Sequence, residues 1–175
     1  MSLKKIAIAL ALAVLASIPA QAGSFGVYGS YWEPDDADSS TGYGARIGFE
    51  FVKVLEFEFR GTHYGDFQST VTPTDVKVEA IPLDGGLRVN FLPTAAVNPY
   101  IGAGVTYYFL DSEDASIENE TGIYGVAGLD FGSAHTRFFL EAMWRKLDAT
   151  IAIGSFDTDA TLDGFAANTG FNWRW

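Results

Sequence analysis

The chain has 175 residues, no cysteine and a formal net charge of −11, which excludes disulfide staples and thiolate metal centres. The acidic balance also disfavours nucleic-acid binding, which needs a basic footprint. Glycine, at 19 residues, and phenylalanine, at 14, are both abundant for a soluble domain.

The first element in chain order is a leader. Lys4 and Lys5 open it, residues 6–18 run without a charge or a glycine, and Pro19-Ala20-Gln21-Ala22 puts small residues at the −3 and −1 positions of a cleavage site. Residues 1–22 therefore read as a cleaved secretory signal peptide. Residues 23–175 remain as one domain, with no linker or low-complexity tract to divide them.

Every element after the leader has a hydrophobic period of two rather than 3.6. Alternating segments fall at about 24–32, 42–53, 54–65, 76–92, 99–110, 121–132, 135–149 and 160–175. Most are long enough to cross hydrocarbon at a tilt, which takes about 9–11 residues. In the last, Phe165, Ala167, Thr169, Phe171, Trp173 and Trp175 share one face. The links alternate in length: Val52-Lys53-Val54, 93–99 and 132–135 are short, whereas 33–41, 66–75, 111–120 and 150–159 are longer and acidic. Short turns at one end and long loops at the other suit a barrel with its short side in the periplasm. The expected fold is all-β: a closed eight-stranded antiparallel up-and-down transmembrane β-barrel, integral to a Gram-negative outer membrane.

Parity then sorts the side chains. Tyr43, Ile47, Phe49, Phe57, Phe59, Leu83, Leu87, Ile101, Val105, Leu129 and Leu140 face lipid, and no charge falls among them; one there would cost roughly 2–4 kcal/mol. The opposite face carries Arg46, Glu50, Glu56, Glu58, Arg60, Asp84, Arg88, Asp130, Arg137, Glu141, Arg145 and Arg174. These include every arginine of the chain and no lysine, and carboxylates equal guanidinium groups in number. An arginine fork holds two carboxylate oxygens at once, and eight strands enclose a lumen that side chains just fill. A connected ion-pair network that plugs the lumen is expected, rather than a wall of one sign lining a pore. Tyr28, Tyr31, Trp32, Tyr64, Tyr107, Tyr108 and Trp144 lie near strand ends and are expected in the interfacial aromatic girdles.

Of 22 Asp and Glu residues, six face inward and 16 lie in or beside the long loops. The densest groups are Asp35, Asp36 and Asp38, and Asp111, Glu113 and Asp114. They match no EF-hand spacing and supply no glycine turn, so a solvated acidic surface is expected, without metal or cofactor. The alternative is Ca²⁺ or Mg²⁺ bridging to lipopolysaccharide phosphates.

Two motifs carry a family resemblance. Asn98-Pro99-Tyr100-Ile101-Gly102-Ala103-Gly104-Val105 and the C-terminal Phe171-Asn172-Trp173-Arg174-Trp175 resemble the small outer-membrane barrels grouped around the OmpA membrane domain, OmpX and OmpW. The resemblance implies that Phe171, Trp173 and Trp175 form the insertion signal read by the barrel-assembly machinery, with Trp175 where the family usually ends in Phe. It implies roles in envelope integrity, adhesion or surface interaction. The partners expected are outer-membrane lipids, lipopolysaccharide and an extracellular ligand met through the acidic loops. The protein is expected to be a monomer.

A narrow porin-like pore, or an OmpW-like path for small solutes, is the competing reading; OmpW-like lumens are apolar where this one is ionic. A lipid A-modifying enzyme comes third. His63 shares the outward parity of Phe57 and Phe59, and pairing the third and fourth strands sets Glu79 opposite it. The serine that small lipid A deacylases carry beside their histidine is missing, the neighbours being Thr62 and Tyr64. His135 reads as a turn residue. No catalytic residue is expected.

Overall fold

The computed structural model describes residues 22–35, 39–68, 77–112, 116–117, 120–146, 148–153, 156–161 and 163–175. The expected leader, apart from Ala22, lies outside the described residues, as do Asp36, Asp38, Glu113 and Asp114. The strands are β1 (Gly23–Pro34), β2 (Ser40–Val52), β3 (Leu55–Gln68), β4 (Lys77–Asn90), β5 (Val97–Ser112), β6 (Ser116–Ile117), β7 (Glu120–Gly132), β8 (Thr136–Lys146), β9 (Asp148–Ile153), β10 (Phe156–Thr161) and β11 (Gly164–Arg174).

Eight of them close into one ring in the order β1-β11-β8-β7-β5-β4-β3-β2. β1 pairs antiparallel with β11 on one side and β2 on the other, so the ring has no open edge. That closure is what lipid demands, since hydrocarbon offers no partner to an unpaired amide. Paired residues followed once round the ring run from Ser24 through Gly48, Glu58, Gly86, Gly104, Tyr124, Arg145 and Gly164. They return to β1 at Pro34, ten residues beyond the start. At about 3.3 Å per residue and about 4.8 Å between strands, this stagger tilts the strands by roughly 40°.

The tight connections Lys53-Val54, 91–96 and 133–135 lie at the end where the termini meet. There Gly23 and Trp175 exchange backbone hydrogen bonds of 3.2 and 3.1 Å. Gly132 turns the chain at a φ of +141°, in the region that favours glycine.

β8 alternates strictly between exposed and buried side chains. Outward residues such as Phe57, Phe59, Leu83, Ile101, Val105, Leu140 and Phe165 are exposed. In water so large an apolar surface is a liability; against acyl chains it matches its solvent. At the terminal end Phe25 stacks on Trp173, with centroids 6.3 Å apart.

Two expectations are corrected. Residues 150–159 are not a plain loop, and the seventh and eighth barrel strands stop at Lys146 and resume at Gly164. β9 and β10 pair as a hairpin, and β6 adds to it in a separate sheet ordered β10-β9-β6. The alternating pattern continues past the barrel rim, where the chain pairs with itself. The girdle assignment also divides: Tyr31, Tyr107 and Trp144 face outward, whereas Tyr28, Trp32, Tyr64 and Tyr108 are buried in the interior. Parity along the strand, not nearness to its end, decides the side.

The closing seam supplies a test. A Cβ on Gly170 would stand 2.1 Å from the Val27 carbonyl oxygen and 2.7 Å from Tyr28 Cα. Gly170→Val therefore has to part β1 from β11, at a cost of about 1–3 kcal/mol or more. The expected result is loss of the compact, heat-modifiable band on unboiled gels; a wild-type yield of that band would refute the close approach.

Candidate functional site

The site is the lumen. A ring of this girth leaves room for side chains and little else, so each inward charge has to find its partner across the barrel. Nearest the termini, Arg174 meets Glu56 at 3.4 Å and Glu50 at 3.9 Å. Glu56 also accepts from Ser24 Oγ and from Asn90 Nδ2 at 3.2 Å. Arg88 donates to Asn90 Oδ1 at 3.0 Å, pairs directly with Asp130 and reaches Glu58 at 3.4 Å.

At mid-height, Glu58 and Glu141 each sit between guanidinium groups. Glu58 pairs with Arg60 and with Arg46 at 3.5 Å. Glu141 pairs with Arg60 and with Arg46 at 3.3 Å, and accepts from Tyr100 Oη at 2.9 Å and Asn168 Nδ2 at 2.8 Å. The guanidinium carbons of Arg46 and Arg88 stand 3.6 Å above the rings of Phe139 and Tyr100, adding cation–π attraction. Towards the loops, Asp84 takes Arg145 at 2.8 Å and the Thr106 hydroxyl at 2.7 Å. Arg145 also donates to Tyr64 Oη at 3.1 Å. Trp32, Tyr64, Tyr108, Tyr124 and Met143 pack around this pair as a buried cluster.

The structure thus joins Arg46, Arg60, Arg88, Arg145 and Arg174 with Glu50, Glu56, Glu58, Asp84, Asp130 and Glu141 in one continuous chain of ion pairs. Glu50 and Arg174, at the rim, are the partly exposed members. Arg137 is inward and buried, but stands apart. It donates to the backbone oxygens of Pro93 and Ala95 and makes no ion pair among the described residues. Sequence reading missed the neutral members Asn90, Asn98 and Ser24, and the inward rings of Tyr28, Tyr64, Tyr100 and Phe139. Their parity was the available signal.

The outer wall holds a groove of about 750 Å³ lined by Tyr43, Ala45, Gly61, His63, Ile81 and Phe171, among others. The expected His63–Glu79 pairing is corrected here. Gly61 opposes Leu83 and Tyr64 opposes Ala80, so Ile81 faces His63 while Glu79 lies opposite Asp111. His63 instead packs against Tyr43, its partner across β2, with centroids 5.1 Å apart. His135 is exposed in its turn. Among the described residues no three His, Cys, Asp or Glu gather as a metal site. Of the acidic-loop candidates only Asp35 and Asp111 are described, and Asp35 N donates to the Asp163 carbonyl at 2.7 Å.

Comparison with solved structures finds the same fold in distant barrels. The N-terminal β-barrel domain of Pseudomonas aeruginosa OprF aligns with a TM-score of 0.59 at 14% identity, covering 89% of this chain and 98% of that one. Neisserial surface protein A aligns at 0.63 and 14% identity, covering 88% and 96%. Outer membrane protein AlkL aligns at 0.55 and 13% identity, covering 88% and 89%. No curated protein sequence matches the chain. Residues 7–174 match the family described as outer membrane protein beta-barrel domain, which is nearly the whole chain. With its closed lipid-facing ring, the protein belongs to that family and resides in the bacterial outer membrane.

Proposed function

We propose that the protein is a non-enzymatic barrel with a plugged lumen, which stiffens the outer membrane and displays acidic loops to the exterior. The observation that carries this reading is the continuous ion-pair chain from Arg174 at the periplasmic rim to Arg145 near the loops. A conducting pore needs a path that stays wet and weakly bound. Here each carboxylate of the chain is engaged by arginine, and two guanidinium groups are stacked on rings as well. The fold alone assigns no role to such a barrel, so the search for partners moves to the loops. Lipopolysaccharide and outer-membrane lipids surround the wall, the monomer is the working unit, and the barrel-assembly machinery reads Phe171, Trp173 and Trp175 during insertion. Phe171, Trp173 and Trp175 face outward at the closing seam.

Planar-bilayer recording of the refolded protein beside Arg88→Ala tests the plug. A silent wild type, with or without a leaky variant, is the expected outcome; steady charge-selective openings in the wild type would replace the plug with a pore. A second measurement reads the network's energetics. Asp84→Asn removes the only carboxylate bound to Arg145 among the described residues and leaves that cation buried, so it is expected to lower unfolding stability in guanidinium by about 3–5 kcal/mol. A change within a few tenths would show that Arg145 is satisfied by solvent.

A further inference from the structure

The turn linking β4 to β5 spans residues 91–96, whereas the others at that end use only Lys53-Val54 and 133–135. The longer turn is internally tied, Ala95 N donating to Leu92 O at 3.0 Å and Leu92 N to Asn98 Oδ1 at 2.8 Å. Arg137 grips it from β8, two strands away round the ring, through Nη2 to Pro93 O at 3.0 Å and Ala95 O at 2.9 Å.

From behind this turn up to mid-height lie buried polar atoms that form no hydrogen bond with any described residue. They are Arg137 Nε and Nη1, both amide atoms of Asn172, Arg174 Nε, Asp130 Oδ1, and Arg46 Nε and Nη2. Arg137, Asn172, Gly26 and Arg46 lie in one register row across β8, β11, β1 and β2. Asp130 Oδ1 and Arg46 Nη2 stand 3.7 Å apart, too far for a direct bond. Polar groups buried in this way take their hydrogen bonds from ordered water. Higher in the lumen the cases are scattered: Arg60 Nε and Asn168 Oδ1 beside Glu141 and Met143, and Tyr108 Oη and Arg145 Nε among packed rings.

We infer that the periplasmic half of the lumen is a hydrated vestibule closed by a latch, in which Arg137 clamps turn 91–96 across the mouth while the aromatic outer half stays sealed. The inference rests on the plugged-lumen reading and adds a direction to it. Releasing the latch admits periplasmic water and small ions as far as Arg46 and Glu58, and no further. Arg137 does this as a donor to two carbonyl groups, which explains an arginine in the lumen with no carboxylate partner among the described residues.

The chain has no cysteine, so single reporters can be read cleanly with a small charged methanethiosulfonate reagent. Asn172→Cys probes the vestibule at a buried position whose side chain bonds no described residue. Ser30→Cys probes the outer half, where Ser30 Oγ bonds Tyr64 Oη at 2.7 Å. In folded barrels in nanodiscs, adding Arg137→Ala is expected to speed labelling of Asn172→Cys by about tenfold or more, from the loss of two charge-assisted hydrogen bonds. Arg137→Lys, which still donates to the carbonyls, is expected to hold labelling near the wild-type rate, and Ser30→Cys to remain protected throughout. Unchanged labelling of Asn172→Cys in a barrel that still shows the heat-modifiable shift would overturn the latch and leave the plug standing. Fast labelling at both reporters with Arg137 intact would overturn the plug itself.

Discussion

Hydrocarbon offers no hydrogen bond, and most of this architecture follows from that one denial. The strands can satisfy their backbone only by pairing on both sides, so β1 has to meet β11, and the ring has to close. Closure with a stagger of ten residues fixes tilt and girth together. Girth in turn leaves a lumen in which charges are too close to ignore one another and too deeply buried to be screened as they would be at a surface. Arginine suits this space because its fork is planar and weakly hydrated, and can hold carboxylates and aromatic faces together. Arg46 does so: it lies over Phe139 while it reaches Glu58 and Glu141. Lysine, with one compact and strongly hydrated charge, does not enter the ion-pair chain: Lys53 lies in a turn and Lys146 is exposed at the end of β8.

The period of two made the fold legible, because in a strand it tells inside from outside whatever the partners are. That is why Glu56, Glu58 and Arg60 could be placed in the lumen from β3 alone. Which groups meet there was not legible. Arg60 finds Glu141, which lies 81 positions along the chain, and no local pattern carries that pairing. Register over the loops was not legible either: the regular pairing of β3 with β4 from Gly61–Leu83 to Tyr64–Ala80 sets Ile81 opposite His63, two residues from the Glu79 expected there. Tyr107 and Tyr108 show the remaining weakness. They are neighbours in sequence, one in lipid and one in the core, and treating them as one aromatic group discarded the parity that separates them. Arg137 was placed inside correctly by parity, yet its partners are backbone oxygens of a turn. Side-chain types cannot reveal these.

The lumen is therefore two environments stacked along one axis. Carboxylates, guanidinium groups and asparagines fill the periplasmic part, with Glu56, Asn90, Asn98 and Asp130 bound to one another through Arg88 and shared amides. Rings and hydroxyls dominate the outer part, around the Asp84–Arg145 ion pair. Hydrogen-bonded hydroxyls such as Tyr28 with Thr62, at 2.7 Å, and Ser30 with Tyr64, at 2.7 Å, satisfy the outer part without further charge.

An ion-pair core of this kind is a poor source of net stability, since desolvating the charges costs about what their attraction returns. Its advantage lies in what it forbids. A strand that slips by one residue turns its whole inward set to the opposite face. For β3 such a slip would carry Glu56, Glu58 and Arg60 into acyl chains, and for β8 Arg137, Glu141 and Arg145. Near the bilayer centre each arginine so displaced costs roughly 2–4 kcal/mol, while the Phe and Leu residues brought inside would strand the charges left behind. An apolar lumen would impose much less of that penalty, since two apolar faces exchange at little cost. The buried charges therefore act as markers of register as much as a plug: in each strand that carries them, a one-residue slip puts charge into lipid.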